Sequence, residues 1–438
     1  MNGSWKKINI ILVLITLLSL SVNAASAQPA ATIYVLRVEG PIVPVVAEYI
    51  QEGIATAEQH DAAAVIIELS TPGGLLTTTQ KIVESILNAR VPVIVYVSPA
   101  GAWAGSAGTF ITLAAHVAAM APGSRIGAAH PVAMGNEGQL SETQQQKAAE
   151  DAAAWIRSIA ELRGRDPASA EATVLESKSY SDSEALQLGL VDLQAADRDE
   201  LISLLEGRIV SLISGKELKL EVAGKQIREL SMSSIQRLLF SVSEPNIAYL
   251  LMTIGTLGLI LELYHPGAIF PGVAGGISLL LGLYALGSLN AHFSGILLLL
   301  LGLGLMAAEV FVVSHGLLAT GGIVSFALGS FLLFSKTNPA FLKVSIPLIV
   351  VTALLLAAAV ALLLRAVIRV QRRQAFSGRE SVQGKKGLAL TDLNPTGTIL
   401  FEGERWQAES IEPLPKGATV MITEMEGLKL KVKKWPEA

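Results

Sequence analysis

One serine, Ser106, lies in the stretch GAWAGSAGTF at residues 101–110, where glycine and alanine occupy most other positions. Small neighbours leave a serine open to a substrate, as a nucleophile requires. Small residues also let helices pack closely, so the stretch alone indicates either a nucleophile or a packing site. We predict a helix over 106–120, which would place Ser106 beside unpaired N–H groups and the positive end of the helix dipole.

A second glycine-rich turn has the composition of an oxyanion-binding loop. The stretch ELSTPGGLLTT at 68–78 leaves a predicted strand and enters a helix at Gly73 and Gly74. Successive N–H groups of such a turn can point into one space, and acyl transfer needs such donors for the charge of its transition state. We predict that Gly73 or Gly74, together with Ala107, supplies them. A phosphate-binding loop is the weaker alternative, since no Walker-type Lys-Ser/Thr pair follows.

Two downstream residues are candidates for the base that a serine nucleophile needs. His130 lies in the predicted loop IGAAHPV, and Lys147 lies on a predicted long helix over 141–164. A histidine ordinarily titrates near pH 6.5. An ordinary lysine titrates near pH 10.4 and needs roughly 4.6 kcal/mol to be neutral at pH 7, which burial can supply. A structural histidine and a solvated lysine are the non-catalytic interpretations.

The elements that must position these residues form a predicted α/β domain over 31–196. β-branched runs predict buried parallel strands at 32–40, 63–70 and 91–98, and amphipathic stretches predict helices at 44–59 and 75–89. Two crossover units in succession favour a mostly parallel sheet. A polar connector at 197–245 is expected to lead from this domain to the membrane.

Five apolar segments follow, each about long enough to cross a hydrocarbon core. They cover residues 247–264, 268–288, 293–313, 316–335 and 344–368. A basic cluster comes next, formed by Arg365, Arg369, Arg372, Arg373, Arg379, Lys385 and Lys386. Because positive charge favours the cytoplasmic side, we expect a multi-pass protein of the cell (inner) membrane with its α/β domain outside and its C-terminal part in the cytoplasm. Four spans are the alternative count.

Two glutamates, Glu262 and Glu309, lie in or beside these apolar segments. Carboxylates are costly in a membrane and are usually paired or functional. Glu262 is placed at a turn from which it can reach the interface. For Glu309 a hydrogen bond between helices is the first interpretation, and a proton or ion pathway is the second.

The two ends of the chain predict a signal and a small barrel. Two lysines precede an apolar run at 8–20, and small residues lead up to a cleavage site predicted after Ala27, which is typical of a secretory signal over 1–27. An uncleaved membrane anchor is the alternative. Residues 384–436 contain five short strand-like pieces separated by glycine and proline, which predict an OB-like β-barrel.

Composition excludes several classes of site. The chain has no cysteine, which rules out disulfides, thiolate metal ligands and a cysteine nucleophile. A net charge of −4 offers no basic surface for nucleic acid. The six histidines are scattered, without the HEXXH pattern of zinc peptidases. We therefore expect no cofactor, no metal and no nucleic-acid partner.

Four motifs together resemble one family. They are STPGG at 70–74, SAGTFI at 106–111, MAPGSRIGAAHPV at 120–132 and SEALQLGLVD at 183–192, and they resemble the NfeD-like membrane-bound serine proteases. The likeness covers nearly the whole chain, because the order of the domains also agrees. It implies an α/β ClpP/crotonase-like N-terminal domain, an all-α polytopic membrane domain and a small all-β OB-like C-terminal barrel.

The resemblance also implies a mechanism. Ser106 would be the nucleophile and Lys147, upstream of WIRSIAELRGR, the base of a Ser–Lys dyad. His130 lies about where ClpP carries its triad histidine and is the alternative base. The family implies cleavage of hydrophobic segments in stomatin-like membrane proteins, by a homo-oligomer in contact with membrane lipid. The alternative function is a non-catalytic scaffold that assembles with stomatin-like proteins.

Overall fold

The computed structural model describes residues 32–131, 142–264, 267, 269–289, 291–309, 311–312, 314, 316–333, 343–371 and 382–436. Within them the chain forms an α/β domain, a series of apolar helices and a closed β-barrel. These three parts confirm the predicted fold class. The chain divides into two compact units, Met1–Leu355 and Leu356–Ala438. The predicted signal at 1–27 lies outside the described residues.

The elements of the α/β domain follow the predicted alternation of strands and helices. Its described strands are β1 (Ile33–Glu39), β2 (Ala64–Ser70), β3 (Val93–Val97), β4 (Trp103–Gly105), β5 (Val117–Met120), β6 (Arg125–Gly127), β7 (Ser179–Ser181), β8 (Leu193–Gln194), β9 (Ile209–Ser211), β10 (Glu217–Lys219) and β11 (Ile227–Leu230). Its described helices are α1 (Pro44–Gln59), α2 (Leu76–Leu87), α3 (Ala107–Ala114), α4 (Glu142–Leu162), α5 (Pro167–Leu175), α6 (Asp182–Gln187), α7 (Arg198–Leu205) and α8 (Ser234–Val242).

Six of these strands form a parallel sheet in the order β11-β1-β2-β3-β5-β8. All five residues of β3 are buried, as expected for a strand covered on both faces. In a second sheet, β4-β6-β7, strand β4 ends at Gly105, directly before Ser106. The edge strand β11 comes from the segment predicted as a connector and pairs with β1, so that segment completes the main sheet.

The predicted helix over 106–120 is wrong in its second half. Helix α3 ends at Ala114, and β5 follows as a buried strand of the main sheet. An apolar run of this length fits helix or strand equally well by periodicity. A side chain from far along the sequence contributes to the end of α3. The guanidinium of Arg163 donates to the carbonyl of Ala114 at 2.8 Å, and this carbonyl has no acceptor role within the helix.

The apolar helices lie at the five predicted positions. They are α9 (Pro245–Tyr264), α10 (Phe270–Ser288), α11 (Phe293–Ala308), α12 (Leu317–Leu332) and α13 (Ile346–Gln371). Among the described residues, two helices are long and apolar enough to cross a membrane, Pro245–Leu263 and Phe270–Ser288, and the apolar parts of the other three are shorter.

Four of these helices form a duplicated hairpin. Glycines recur at a constant spacing, as Gly255, Gly275 and Gly282 in α9–α10 and as Gly302, Gly322 and Gly329 in α11–α12. They also make equivalent contacts. A Cβ on Gly255 would lie 2.5 Å from the backbone nitrogen of Leu279, and a Cβ on Gly302 would lie 2.5 Å from that of Phe326. Close approach at small residues is how membrane helices pack, so each hairpin is one copy of the same packing unit.

A glutamate follows the first helix of the second hairpin and holds the start of the next helix. One oxygen of Glu309 accepts from the N–H of Gly316 at 2.8 Å. Its other oxygen accepts from the hydroxyl of Ser314 at 2.6 Å and from the N–H of Ala319 at 2.9 Å. Unpaired N–H groups at a helix start need such acceptors. This geometry favours the hydrogen-bond interpretation of Glu309.

Gly302→Ala is expected to destabilise the membrane part of the protein, whereas Gly304→Ala is not. A Cβ on Gly302 would also lie 2.7 Å from the carbonyl oxygen of Gly322, whereas one on Gly304, on the same helix, has nothing within 4 Å. Overpacking of this kind costs about 1–3 kcal/mol. Thermal unfolding of the full chain in detergent, followed by circular dichroism, measures the difference. Equal melting temperatures for the two variants would contradict the close helix contact.

The C-terminal part is a closed five-stranded barrel. Its strands are β12 (Lys386–Ala389), β13 (Thr396–Phe401), β14 (Glu404–Ser410), β15 (Thr419–Glu426) and β16 (Lys429–Lys434), joined in the order β12-β13-β14-β16-β15. Buried Ile399, Val420, Ile422 and Leu430 belong to its core. Closure leaves no free strand edge, and each strand falls on one of the predicted strand-like pieces.

Candidate active site

Ser106 lies between β4 and α3 in a backbone conformation that is rare for a residue with a side chain. Its φ is 49° and its ψ is −110°. Such a conformation costs about 1–3 kcal/mol and is concentrated at functional sites. The N–H of Ser106 donates to the carbonyl of Gly127 at 2.9 Å, and its carbonyl accepts from the N–H of Thr109 at 3.0 Å. A serine on a sharp turn from strand to helix is the geometry of an exposed nucleophile.

The glycine turn lies directly against this serine. A Cβ on Gly73 would be 2.7 Å from the Cβ of Ser106 and 3.2 Å from its Oγ. The φ of Gly73 is 127°, which favours glycine. The turn is held from behind by Ile42, whose N–H donates to the carbonyl of Gly73 at 2.9 Å and whose carbonyl accepts from the N–H of Leu75 at 3.0 Å. The structure therefore brings Ser106, Gly73 and Gly74 together.

The three predicted oxyanion donors differ in what their N–H groups contact. The N–H of Gly73 donates to Thr71 Oγ1 at 3.0 Å, so it is already engaged. Among the described hydrogen bonds, the N–H groups of Gly74 and Ala107 have no acceptor. Ala107 is the first residue of α3, where N–H groups have no partner within the helix. Gly74 and Ala107 are therefore the pair that can receive an oxyanion.

Two buried threonines, which the sequence analysis missed, fix the loops around Ser106. Thr71 Oγ1 accepts from the N–H of Gly73 and donates to its carbonyl at 3.1 Å. Thr109 Oγ1 lies 3.0 Å from the carbonyls of Ala104 and Gly127 and accepts from the N–H of Gly127 at 3.1 Å. Both could have been found from the sequence, because each lies in a glycine-rich motif, where a hydroxyl can form hydrogen bonds with nearby backbone groups.

Lys147 does not meet Ser106 in this structure. Its side chain is exposed on α4, and no hydrogen bond joins the two residues in the described part of the chain. The buried amine that a Ser–Lys dyad needs is therefore absent from this conformation of the described residues. Desolvation of Lys147 must come from something outside this chain or from a movement of α4.

The direction of α4 nevertheless places Lys147 in the half of the helix nearer to Ser106. Trp155 stacks on Phe110 of α3 with ring centroids 4.5 Å apart, and Arg163, just after α4, reaches the end of α3. The two helices therefore run in the same direction, and Lys147 lies towards the end of α4 that is nearest Ser106. Asp151 and Trp155 line a groove of about 470 Å³ between α2 and α4. Lys147 is one helical turn before Asp151, on the same side of the helix.

The other candidate base, His130, is also exposed, and none of the described hydrogen bonds joins it to Ser106. Its Nδ1 lies 2.8 Å from the carbonyl of Val174. Since a carbonyl only accepts, Nδ1 carries the proton and Nε2 is the basic nitrogen. A second histidine, His116, is not a candidate, because burial and then the charge of Arg163 lower its pKa to about 3 and its Nδ1 accepts from the N–H of Val93 at 3.1 Å.

A strained serine with two available N–H groups, in an α/β domain that continues into apolar helices, defines a class: membrane proteins whose α/β domain has a site suited to acyl transfer. Three family models match successive parts of the chain. They are the NfeD1b N-terminal domain over 32–212, the NfeD integral membrane domain over 246–366 and the NfeD-like C-terminal, partner-binding domain over 379–434.

Two relatives match almost end to end. The membrane-bound protease PH1510 of Pyrococcus horikoshii is 33% identical over 426 residues, which cover 94% of this chain and 96% of that protein. The membrane protein NfeD1b of Bacillus subtilis is 30% identical over 438 residues, which cover 96% of each. The chain therefore belongs to the NfeD-like membrane protease family, and the predicted resemblance is confirmed.

Solved structures match the N-terminal domain. A serine-to-alanine variant of 1510-N, a membrane-bound stomatin-specific protease, is 33% identical and covers 46% of this chain and 99% of its own, with a TM-score of 0.44. A lysine-to-alanine variant in complex with a substrate peptide is 32% identical and covers 48% and 97%, with a TM-score of 0.45. ClpP1 from Listeria monocytogenes is 22% identical and covers 38% and 94%, with a TM-score of 0.32.

Proposed function

We propose that this chain is a membrane-anchored serine endopeptidase that uses a Ser–Lys dyad of Ser106 and Lys147. The observation that carries the proposal is the strained backbone of Ser106 against the turn of Gly73. Ser106 Oγ attacks the scissile carbonyl, and neutral Lys147 takes the hydroxyl proton and returns it to the leaving amine. Water then releases the acyl group from Ser106.

The developing negative charge is held by backbone donors. The N–H groups of Gly74 and Ala107 are available for it, and each such donor is typically worth about 10²–10³ in rate. Gly73, engaged with Thr71, keeps the turn in place. Of the three predicted oxyanion donors, Gly73 therefore positions the turn, and Gly74 and Ala107 donate to the oxyanion.

The proposal requires that the side-chain amine of Lys147 be shielded from solvent. An exposed ammonium is charged at neutral pH, and removing the proton from an ordinary lysine at pH 7 costs roughly 4.6 kcal/mol. A peptide lying across the mouth of the site, or a second copy of the chain in the proposed homo-oligomer, would cover the amine and favour its neutral form. The serine and the lysine replaced in the two 1510-N variants have the same separation in sequence as Ser106 and Lys147, which supports the pair.

The proposed substrate is a hydrophobic segment of a stomatin-like membrane protein. The sequence relative is a membrane-bound protease, and its N-terminal part is specific for a stomatin homolog. The barrel matches a partner-binding domain, so we assign it the docking of such a partner. The proposed parts are the protease domain at 31–196, the connector at 197–245, the membrane domain at 247–368 and the barrel at 384–436, with the protease domain extracytoplasmic and the barrel cytoplasmic.

A serine-directed fluorophosphonate probe separates this function from a scaffold. The purified full chain in detergent is expected to be labelled at Ser106, located by peptide mass spectrometry, and to cleave an apolar peptide. A scaffold would capture a stomatin-like partner without labelling or cleavage. Absence of both reactions, with partner capture intact, would overturn the peptidase proposal.

A further inference from the structure

Helix α8 lies between the two parts that the family models assign to the N-terminal and membrane domains. It is a defined nine-residue helix with a capping box: Ser233 accepts from the N–H of Gln236 at 3.2 Å, and the Gln236 side chain accepts from the N–H of Ser233 at 2.9 Å. The apolar helix α9 begins at Pro245, shortly after α8 ends. Helix α8 is therefore the last element before the membrane.

The inner side of α8 is fixed to the α/β domain. Gln236 is buried and donates to a carboxylate oxygen of Glu52, on α1, at 2.8 Å. The ring of Phe240 packs over Gly40, where an added Cβ would lie 3.2 Å from it. These contacts set the orientation of α8, since a helix held at two points one turn apart cannot rotate freely.

The outer side of α8 exposes large apolar residues. Ile235 is 71% exposed and Leu238, three residues further on, is 52% exposed. Residues three apart lie on one helix face. Arg237 and Ser241 form a neighbouring polar stripe that is also exposed. A helix whose outer side faced only water would be expected to have polar residues there. The exposed apolar stripe therefore indicates that another surface covers it.

We propose that this surface is the membrane itself, with α8 lying in the lipid interface and the side chains of Ile235 and Leu238 inserted between the headgroups. Continuity with α9 supports this occupant, because the first span starts at Pro245 with a mean hydropathy of 1.6. The whole of α8 is only about 13 Å long. Interfacial helices bury their apolar face by about 5–10 Å. The inserted helix holds the α/β domain, to which it is bonded, at a fixed height above the bilayer.

The lack of cysteine in the chain allows a direct test by single-cysteine labelling. Ile235→Cys and Leu238→Cys report the apolar stripe, and Arg237→Cys and Ser241→Cys are matched controls on the same exposed helix. Each full-length variant is labelled with bimane and placed in nanodiscs of phosphatidylcholine and phosphatidylglycerol, with and without lipids carrying a quencher just below the headgroup. Quenching is expected to be several-fold stronger at 235 and 238 than at 237 and 241.

Either of two results would overturn the proposal. Equal, weak quenching at all four positions would mean that the stripe faces water. Shielding of 235 and 238 that appears only in native membranes, and not in nanodiscs of pure lipid, would mean that a protein covers it. Circular dichroism melts of the labelled variants confirm that each has folded. The result does not depend on peptidase activity, so it stands apart from the proposed function.

Discussion

Ser106→Ala is expected to abolish both probe labelling and peptide cleavage, and Lys147→Ala is expected to lower kcat by about 10²–10⁴, the usual contribution of a general base. Both changes remove groups that act on the bond being cleaved and leave the rest of the site unaltered, so KM should change little. Initial rates of cleavage of an apolar peptide by the purified full chain measure both effects. Glu150→Ala, an exposed change on the same helix, is the matched control and should leave kcat near that of the unaltered chain.

Two further variants separate the candidate bases in the same assay. Lys147→Arg keeps a positive charge but cannot give up its proton, so it should be as inactive as Lys147→Ala. His130→Ala should retain activity if the dyad is correct. Loss of activity in His130→Ala, with activity retained in Lys147→Ala, would transfer the role of base to the histidine.

The closeness of Ser106 and the glycine turn was predictable because both follow strands. The isolated bridge between Thr71 and Ala104 joins the segment after β2 to β4, which leads directly to Ser106. A small-residue motif at each strand end therefore indicates two loops that meet. The position of Lys147 was not predictable to the same degree, since it depends on how α4 packs through Trp155 onto Phe110, a contact between distant parts of the sequence.

The misplaced helix end and the unnoticed hairpin repeat have different causes. Residues 117–120 have no pattern that separates helix from strand. The donor to the last carbonyl of α3 is Arg163, which lies far along the sequence. The repeat was present in the spacing of the glycines, with Gly255 and Gly302 as one equivalent pair. The length of the apolar segments alone does not reveal the repeat, because length does not show which positions are small enough for close helix packing.

Gly73→Ala is expected to lower kcat/KM by about 10² or more, because misplacing a reacting group by about 1 Å can cost that much. The new Cβ would lie 2.7 Å from the Cβ of Ser106 and 3.2 Å from its Oγ, so the serine must move. The change also strains the backbone, since the φ of Gly73 is 127°. Loss of activity could then come from unfolding alone, and a control must carry similar strain without the collision.

Gly101→Ala provides that control. Gly101 also has a positive φ, 81°, and an added Cβ there has nothing within 4 Å. Both variants should lose a similar amount of stability, about 1–2 kcal/mol for a side chain held in the left-handed region, whereas only Gly73→Ala should lose the rate of probe labelling at Ser106. Melting temperatures and labelling rates of the two full-length variants test this. A Gly73→Ala protein that melts like Gly101→Ala and is labelled as fast as the unaltered chain would show that the turn does not touch the nucleophile in the working protein, and the assignment of Gly74 and Ala107 as oxyanion donors would fail with it.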